Sequence, residues 1–391
     1  MKQRLEILHR RFSKSVSSHS LLYFSTRPCR FPDTHPNHHD DNGNKIDHRI
    51  QYDKKKKKNP ITREPWDRSF QLHKPRGQHL LTNPRILDAI VRLADVGPTD
   101  TVLEVGPGTG NLTVRLLASA HRVVGVEVDR RMVDALRRRV SDIGFDHRLD
   151  VITGDAIKTQ FPEFDLCVAN IPYGISSPLI GKLLFGQCCF RSATLLLQKE
   201  FARRLLAMPG DSEYNRLAAN VRLVADVELL MDVSKKEFVP CPKVDSSLVQ
   251  IRPRSGRPPP VDLAEWLAFT RTLFTKKNKT LGAIFKQKKK IAELFEISQI
   301  DSKGSRDAGE NDGSRSNIAR FDDLDDNHGD PMEINVEEKE GVDALEVGPF
   351  KEKIIQILNS GGFGEKRPSK LSNEDLLHIL QLFNKEGVVF H

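Results

Sequence analysis

A chain of 391 residues can hold one large domain and a smaller one, with cores that need no covalent staples. Its five cysteines show neither CxxC spacing nor histidine partners, which argues against a disulfide frame or a zinc site, and no run of eighteen apolar residues offers a membrane span. The net charge of +8 conceals a segregation: residues 301–346 hold fifteen Asp/Glu and five Lys/Arg, a local −10 that leaves +18 elsewhere, suited to a polyanion such as RNA or to a plain basic surface.

Residues 1–30 are rich in Arg and Ser, contain Glu6 as their only acid, and space Leu and Phe at helix-like intervals. That composition predicts an organelle transit peptide, mitochondrial by its chemistry. Residues 31–72 read as a disordered basic linker. The run Lys54 to Lys58 within it suits a nuclear or nucleolar address, an RNA-contacting arm or a solvated tail. A structured domain is expected over 73–255. It opens with a helix from Pro84, capped by Asn83 or Thr82, with Ile86, Ile90 and Leu93 on one face.

Short β-branched runs then alternate with helical patterns: "TVLEV", "RVVGVEV", "DVITGD", "FDLCVAN" and "ATLLLQ". The alternation predicts an α/β fold, a Rossmann-like and mostly parallel sheet covered by helices on both faces. From 256 to 391 the pattern is helical, interrupted by an acidic, disordered insert at about 296–346. Ser372 and Asp375 open the last helix with the spacing of a capping box.

Ligands of such sheets bind beyond the carboxyl ends of the strands. In "LEVGPGTGNL" Gly106, Gly108 and Gly110 separate a strand from a helix and let backbone approach a nucleotide-like ligand, although a tight turn or a dinucleotide site uses glycine as well. Glu127 ends the next strand, where a carboxylate accepts both hydroxyls of a ribose, and Asp155 ends the third, within reach of an adenine amino group. The glycine spacing is GxGxG, not the GxGxxG of a pyrophosphate site, and Glu104 stands beside it. An acidic mouth suits a cation such as S-adenosylmethionine, and disfavours the rival reading of an NAD-dependent dehydrogenase.

The fourth strand ends in "NIPY". An adenine amino group is a poor nucleophile because its lone pair is delocalised into the ring. Acceptors facing its two N–H bonds favour the pyramidal, reactive geometry. The side-chain oxygen of Asn170 and a carbonyl of the Ile171-Pro172 turn are the candidates, and Tyr173 offers a stacking face for a flipped base, worth roughly 1–3 kcal/mol. A turn of Asn and Pro closing a strand is the structural alternative.

With these residues in view, the chain from about Lys74 onward resembles the ribosomal RNA adenine N6,N6-dimethyltransferases, the dimethyladenosine transferase family. The resemblance lies in "GQHLL", "LEVGPGTGNLT", "GDA", "NIPYGISSPLI" and "FVPCPKVDSSLVQIRP". It implies a Rossmann-like methyltransferase domain, a C-terminal helical domain that binds rRNA, and S-adenosylmethionine as cofactor. Gln78, His79 and Leu81 stand where the family holds the methionine end of that cofactor, and Gly106, Glu127, Asp155 and Asn170 where it holds the rest. Asn170 and Tyr173 match the target-base motif, with Phe238 as a second stacking aromatic; no metal is implied.

The implied reaction dimethylates two adjacent adenosines in the 3′-terminal hairpin of small-subunit rRNA, with the rRNA or a pre-ribosomal particle as partner and the protein a monomer. The stretch "KKNKTLGAIFK" and the ending "LLHILQLFNKEGVVF" resemble the eukaryotic branch, and the long N-terminus favours a mitochondrial paralogue over a nucleolar enzyme. A catalytically silent relative serving transcription or ribosome assembly is the other reading, against which the intact Asn170 and Tyr173 argue. Taken singly, His79 also suits a helix cap or domain-edge packing, and Phe238, beside Pro240 and Pro242, also suits a core position.

Overall fold

The computed structural model describes residues 79–186, 188–254, 261–303 and 344–391. Residues 1–78, with the expected transit segment, the linker and Gln78, lie outside these, as do residues 304–343 of the acidic stretch.

Nine strands are formed among the described residues: β1 (Leu80–Leu81), β2 (Thr101–Val105), β3 (Arg122–Glu127), β4 (Leu149–Thr153), β5 (Leu166–Asn170), β6 (Ser192–Gln198), β7 (Ala225–Val233), β8 (Phe238–Val239) and β9 (Ser246–Pro253). Seven make one sheet in the order β4-β3-β2-β5-β6-β9-β7. The first five of that order run parallel, and β9 is antiparallel to both β6 and β7. β2, β5 and β6 are buried along nearly their whole length because helices cover both faces, so strict alternation gives way to runs such as Leu195–Leu197. The parallel sheet follows the sequence expectation. Not anticipated was β7, whose "ADVELLMDV" mixes charge with apolar residues because it is an edge strand, and which carries a register shift between Leu229 and Met231.

Helix α1 (Pro84–Leu93) begins where expected, with the Asn83 side chain accepting the Arg85 N–H at 2.9 Å. Its buried stripe is Leu87, Ile90 and Val91; Ile86 and Leu93 are only half-buried, flanking that stripe instead of forming it. Helices α2 (Thr113–Ser119), α3 (Arg130–Asp142), α4 (Ser176–Phe185) and α5 (Lys199–Leu206) cover the sheet, and α6 (Arg216–Val224) leads into β7.

A second core is aromatic. Trp266 and Phe269 of α7 (Leu263–Phe274) pack with Phe383 of α11 (Asn373–Lys385) and with Phe390, and Tyr214, Ala218 and Ala219 at α6 join the same cluster. Between them lie α8 (Leu281–Ile284), α9 (Lys288–Lys303) and α10 (Ala344–Ser360). The two long helices thus reach into both ends of the segment expected as an insert. The capping box is present: the Asp375 N–H meets Ser372 Oγ at 3.1 Å, and Asp375 accepts the Ser372 N–H at 3.0 Å. No helix among the described residues is long and apolar enough to cross a membrane.

Candidate active site

In the sheet order, β4, β3, β2 and β5 are neighbours, and the chain changes its winding direction between β2 and β5. A crevice opens outside the carboxyl ends of strands at such a point. Here the ends carry Asp155, Glu127, Gly106 and Asn170, in that spatial order, around a cavity of about 330 Å³. That volume lies in the range of small-molecule sites.

The floor is the turn after β2. Gly106, Gly108 and Gly110 all have positive φ (+70°, +57° and +88°), a region that favours glycine. Space confirms the need: a Cβ on Gly108 would stand 3.0 Å from Leu80 Cδ2, and one on Gly110 2.7 Å from Leu136 Cδ1. Glu127 is held from below, its Oε2 accepting the Gly108 N–H at 3.1 Å and its Oε1 the Asp129 N–H at 3.0 Å. The Val128 N–H adds a third backbone donor, and of a carboxylate's roughly four lone-pair sites acceptor capacity remains for a ligand. Burial raises the Glu127 pKa, against the pull of those backbone donors. Glu104, 2% exposed, accepts a hydrogen bond from Thr113 Oγ1 at 2.6 Å. Burial pushes its carboxyl up to about 8, the Thr113 bond opposing this and the Glu127 charge adding to it. Asp155 is exposed and caps its own turn through the Ile157 N–H at 2.9 Å.

The roof is a strap. β1 pairs antiparallel with β8, Leu80 opposite Val239 and Leu81 opposite Phe238. His79 Nδ1 donates to the Pro240 carbonyl at 2.7 Å, and Asn111 Nδ2 donates to the Leu81 carbonyl at 2.9 Å. Asn170 Nδ2 donates to the His79 carbonyl at 3.1 Å. A carbonyl only accepts, so this bond fixes which way the Asn170 amide points. No donor among the described residues engages its Oδ1, which remains available at the cavity wall. The Tyr173 ring stacks on the His79 ring at 6.0 Å and 28°, and its hydroxyl bonds Ser246 Oγ at 2.9 Å. Burial raises the Tyr173 pKa, so it stands as a neutral phenol.

The structure therefore brings His79, Leu81, Gly106, Glu127, Asp155, Asn170 and Tyr173 to one cavity. Phe238 is elsewhere: it is 2% exposed, packed in the core with Leu81, Leu87 and Leu248, and does not line the cavity. Gln78 lies outside the described residues. Missing from the sequence reading were Asn111, Ser246 and Val128, the last 56% exposed at the cavity and an apolar platform for a ring. Only the apolar residue following Glu127 gave a local signal; the other two act through partners 30 and 73 positions away.

The donor set fits S-adenosylmethionine. Among the described residues lining the cavity, three are acids and none is Lys or Arg. A pyrophosphate would face these carboxyls, whereas a sulfonium and an ammonium are attracted by them. The glycine turn, the two-oxygen carboxylate and the apolar wall suit a nucleoside.

A family model described as ribosomal RNA adenine dimethylase matches residues 69–305. The chain is 57% identical over 324 residues to a mitochondrial ribosomal RNA small subunit methyltransferase of Arabidopsis thaliana, covering 82% of this chain and 81% of the relative. It is 46% identical over 355 residues to a second ribosomal RNA small subunit methyltransferase of that organism, covering 88% of this chain and 99% of the relative. Among solved structures, a dimethyladenosine transferase from Plasmodium falciparum superposes with a TM-score of 0.64 at 37% identity, covering 80% of this chain and 100% of that one.

Proposed function

The chain belongs to the ribosomal RNA adenine dimethylase family, and from that premise we propose that it dimethylates two adjacent adenosines in the 3′-terminal hairpin of small-subunit rRNA. The observation that carries this reading is the Asn170 amide, its nitrogen engaged by the strap and its oxygen met by no donor among the described residues, beside an acidic cavity.

Glu127 accepts the ribose hydroxyls of the cofactor and Asp155 its adenine amino group, while Gln78, His79 and Leu81 take the methionine end. When bound, S-adenosylmethionine supplies an electrophilic methyl group. Asn170 Oδ1 and the Ile171 carbonyl accept the two N–H bonds of the target amino group and draw it toward tetrahedral geometry. Pro172 fixes that turn without adding a donor. Tyr173 holds the flipped base by stacking, a contribution of roughly 1–3 kcal/mol, and its neutral phenol adds no charge. The methylated nitrogen is an acidic ammonium once formed, so its proton passes to water without a strong base.

Phe238 serves as a second stacking face only after leaving its core position. The rRNA, or a pre-ribosomal particle containing it, is the partner of a monomer with its helical C-terminal domain, 256–391. The acid-poor first thirty residues and the mitochondrial relative support a mitochondrial location. A silent assembly factor is disfavoured by the intact Asn170 and Tyr173.

Two measurements test the reading. S-adenosylhomocysteine is expected to raise the melting temperature of the protein and NADH is not. In cells lacking the protein, dimethyladenosine is expected to vanish from mitochondrial small-subunit rRNA and to persist in cytosolic rRNA. Loss from the cytosolic molecule alone would overturn the compartment, and retention in both would overturn the activity.

A further inference from the structure

Lys182 belongs to no part of the site described so far. It lies on α4, the helix that follows "NIPY" and is joined to it where Ser176 Oγ donates to the Tyr173 carbonyl at 3.0 Å. Its side chain reaches the turn after β4. The ammonium donates to the carbonyls of Ala156 at 2.7 Å and Ile157 at 3.0 Å, and to that of Thr159, and it sits 4.0 Å from the centre of the Phe161 ring. An ammonium has three N–H donors, and here all three meet backbone oxygen.

Asp155 opens this turn. Its backbone carbonyl accepts the N–H groups of Lys158 and Thr159, at 3.0 and 2.8 Å, and its carboxylate accepts that of Ile157. Three carbonyls converging on one point repel each other unless a cation stands among them. Lys182 is half-buried, and that burial lowers its pKa. One side chain thus ties the Asp155 turn to the helix that follows the Asn170–Tyr173 segment.

We propose that Lys182 is a positioning residue: its ammonium holds the Asp155 turn in register with the Asn170–Tyr173 segment, so that the adenine end of the cofactor and the target base meet at fixed separation. This rests on the role given to Asp155 above. A purely architectural lysine would lower thermal stability and leave the affinity of the folded protein unchanged.

The test is a double-mutant cycle in the full chain, read as the Kd for S-adenosylhomocysteine by calorimetry. Lys182→Met, similar in length but uncharged, is expected to raise Kd about tenfold. In an Asp155→Ala background the same change is expected to have less than about a twofold effect, because the carboxylate it positions is gone. Methyl transfer at saturating cofactor is expected to fall less than the affinity does. Should Lys182→Met fail to fold, Lys182→Arg takes its place. Its planar guanidinium cannot meet three converging carbonyls as the ammonium does, and it is expected to weaken binding severalfold, again only when Asp155 is present. An unchanged Kd, or equal losses with and without Asp155, overturns the proposal. Absence of binding by the unmutated protein would instead overturn the cofactor assignment.

Discussion

Asn170→Ala is expected to lower methyl incorporation into a 3′-terminal small-subunit rRNA hairpin by about 10²–10³-fold at saturating substrates, the usual effect of deleting one fixed transition-state acceptor or donor. The Kd for S-adenosylhomocysteine should rise only a few fold and the retention of RNA should hardly change. The split follows from geometry. Asn170 Nδ2 anchors the amide to the His79 carbonyl, and the oxygen is the atom proposed to accept from the target amino group. Asn170→Asp makes the complementary case: a carboxylate facing the His79 carbonyl has no proton to offer and must turn away, so transfer should fall as well. Incorporation within threefold of the unmutated rate in the alanine variant removes Asn170 from the chemistry.

Glu104→Gln is expected to strengthen the fold and weaken cofactor binding together. The carboxyl is buried and its pKa stands at about 8, above the ordinary 4.5. A folded-state value above the unfolded one means stability that is full below about pH 4.5 and is lost as pH rises through about 8. Glutamine has nothing to ionise and keeps an acceptor for Thr113 Oγ1. The variant should therefore lose much of the decline between those pH values and, at pH 8.5, gain on the order of 2 kcal/mol, read as a higher Tm. Glu127, shifted the same way, leaves a residual slope. Above about pH 8, where the buried carboxyl is ionised, the same substitution removes a negative charge from a cavity proposed to hold a sulfonium, so at pH 8.5 affinity for S-adenosylmethionine should fall about tenfold, more than that for the uncharged thioether product, whereas near pH 7 it should change little. A Tm that follows pH in the variant as in the parent would mean that Glu104 is already ionised in the fold.

Much of this was legible in the sequence because a parallel sheet writes its site at regular intervals. Gly106, Glu127, Asp155 and Asn170 each close a β-branched run, so locating the runs located the cavity. What escaped notice depends on distance along the chain. The strap bonds join positions 30, 91 and 161 residues apart, and the three acceptors of Lys182 are 23 to 26 residues away. No local periodicity reports them. β7 was missed because an edge strand needs only weak alternation. Phe238 shows a different limit: the motif predicts a stacking aromatic, whereas pairing with Leu81 buries it.

The strap also sets a limit on how far the chain can be shortened from its N-terminal side. The carbonyl of His79 orients the Asn170 amide and that of Leu81 holds Asn111. A chain that begins after His79 lacks the carbonyl that orients this amide, so that point of the strap could no longer keep it from swivelling.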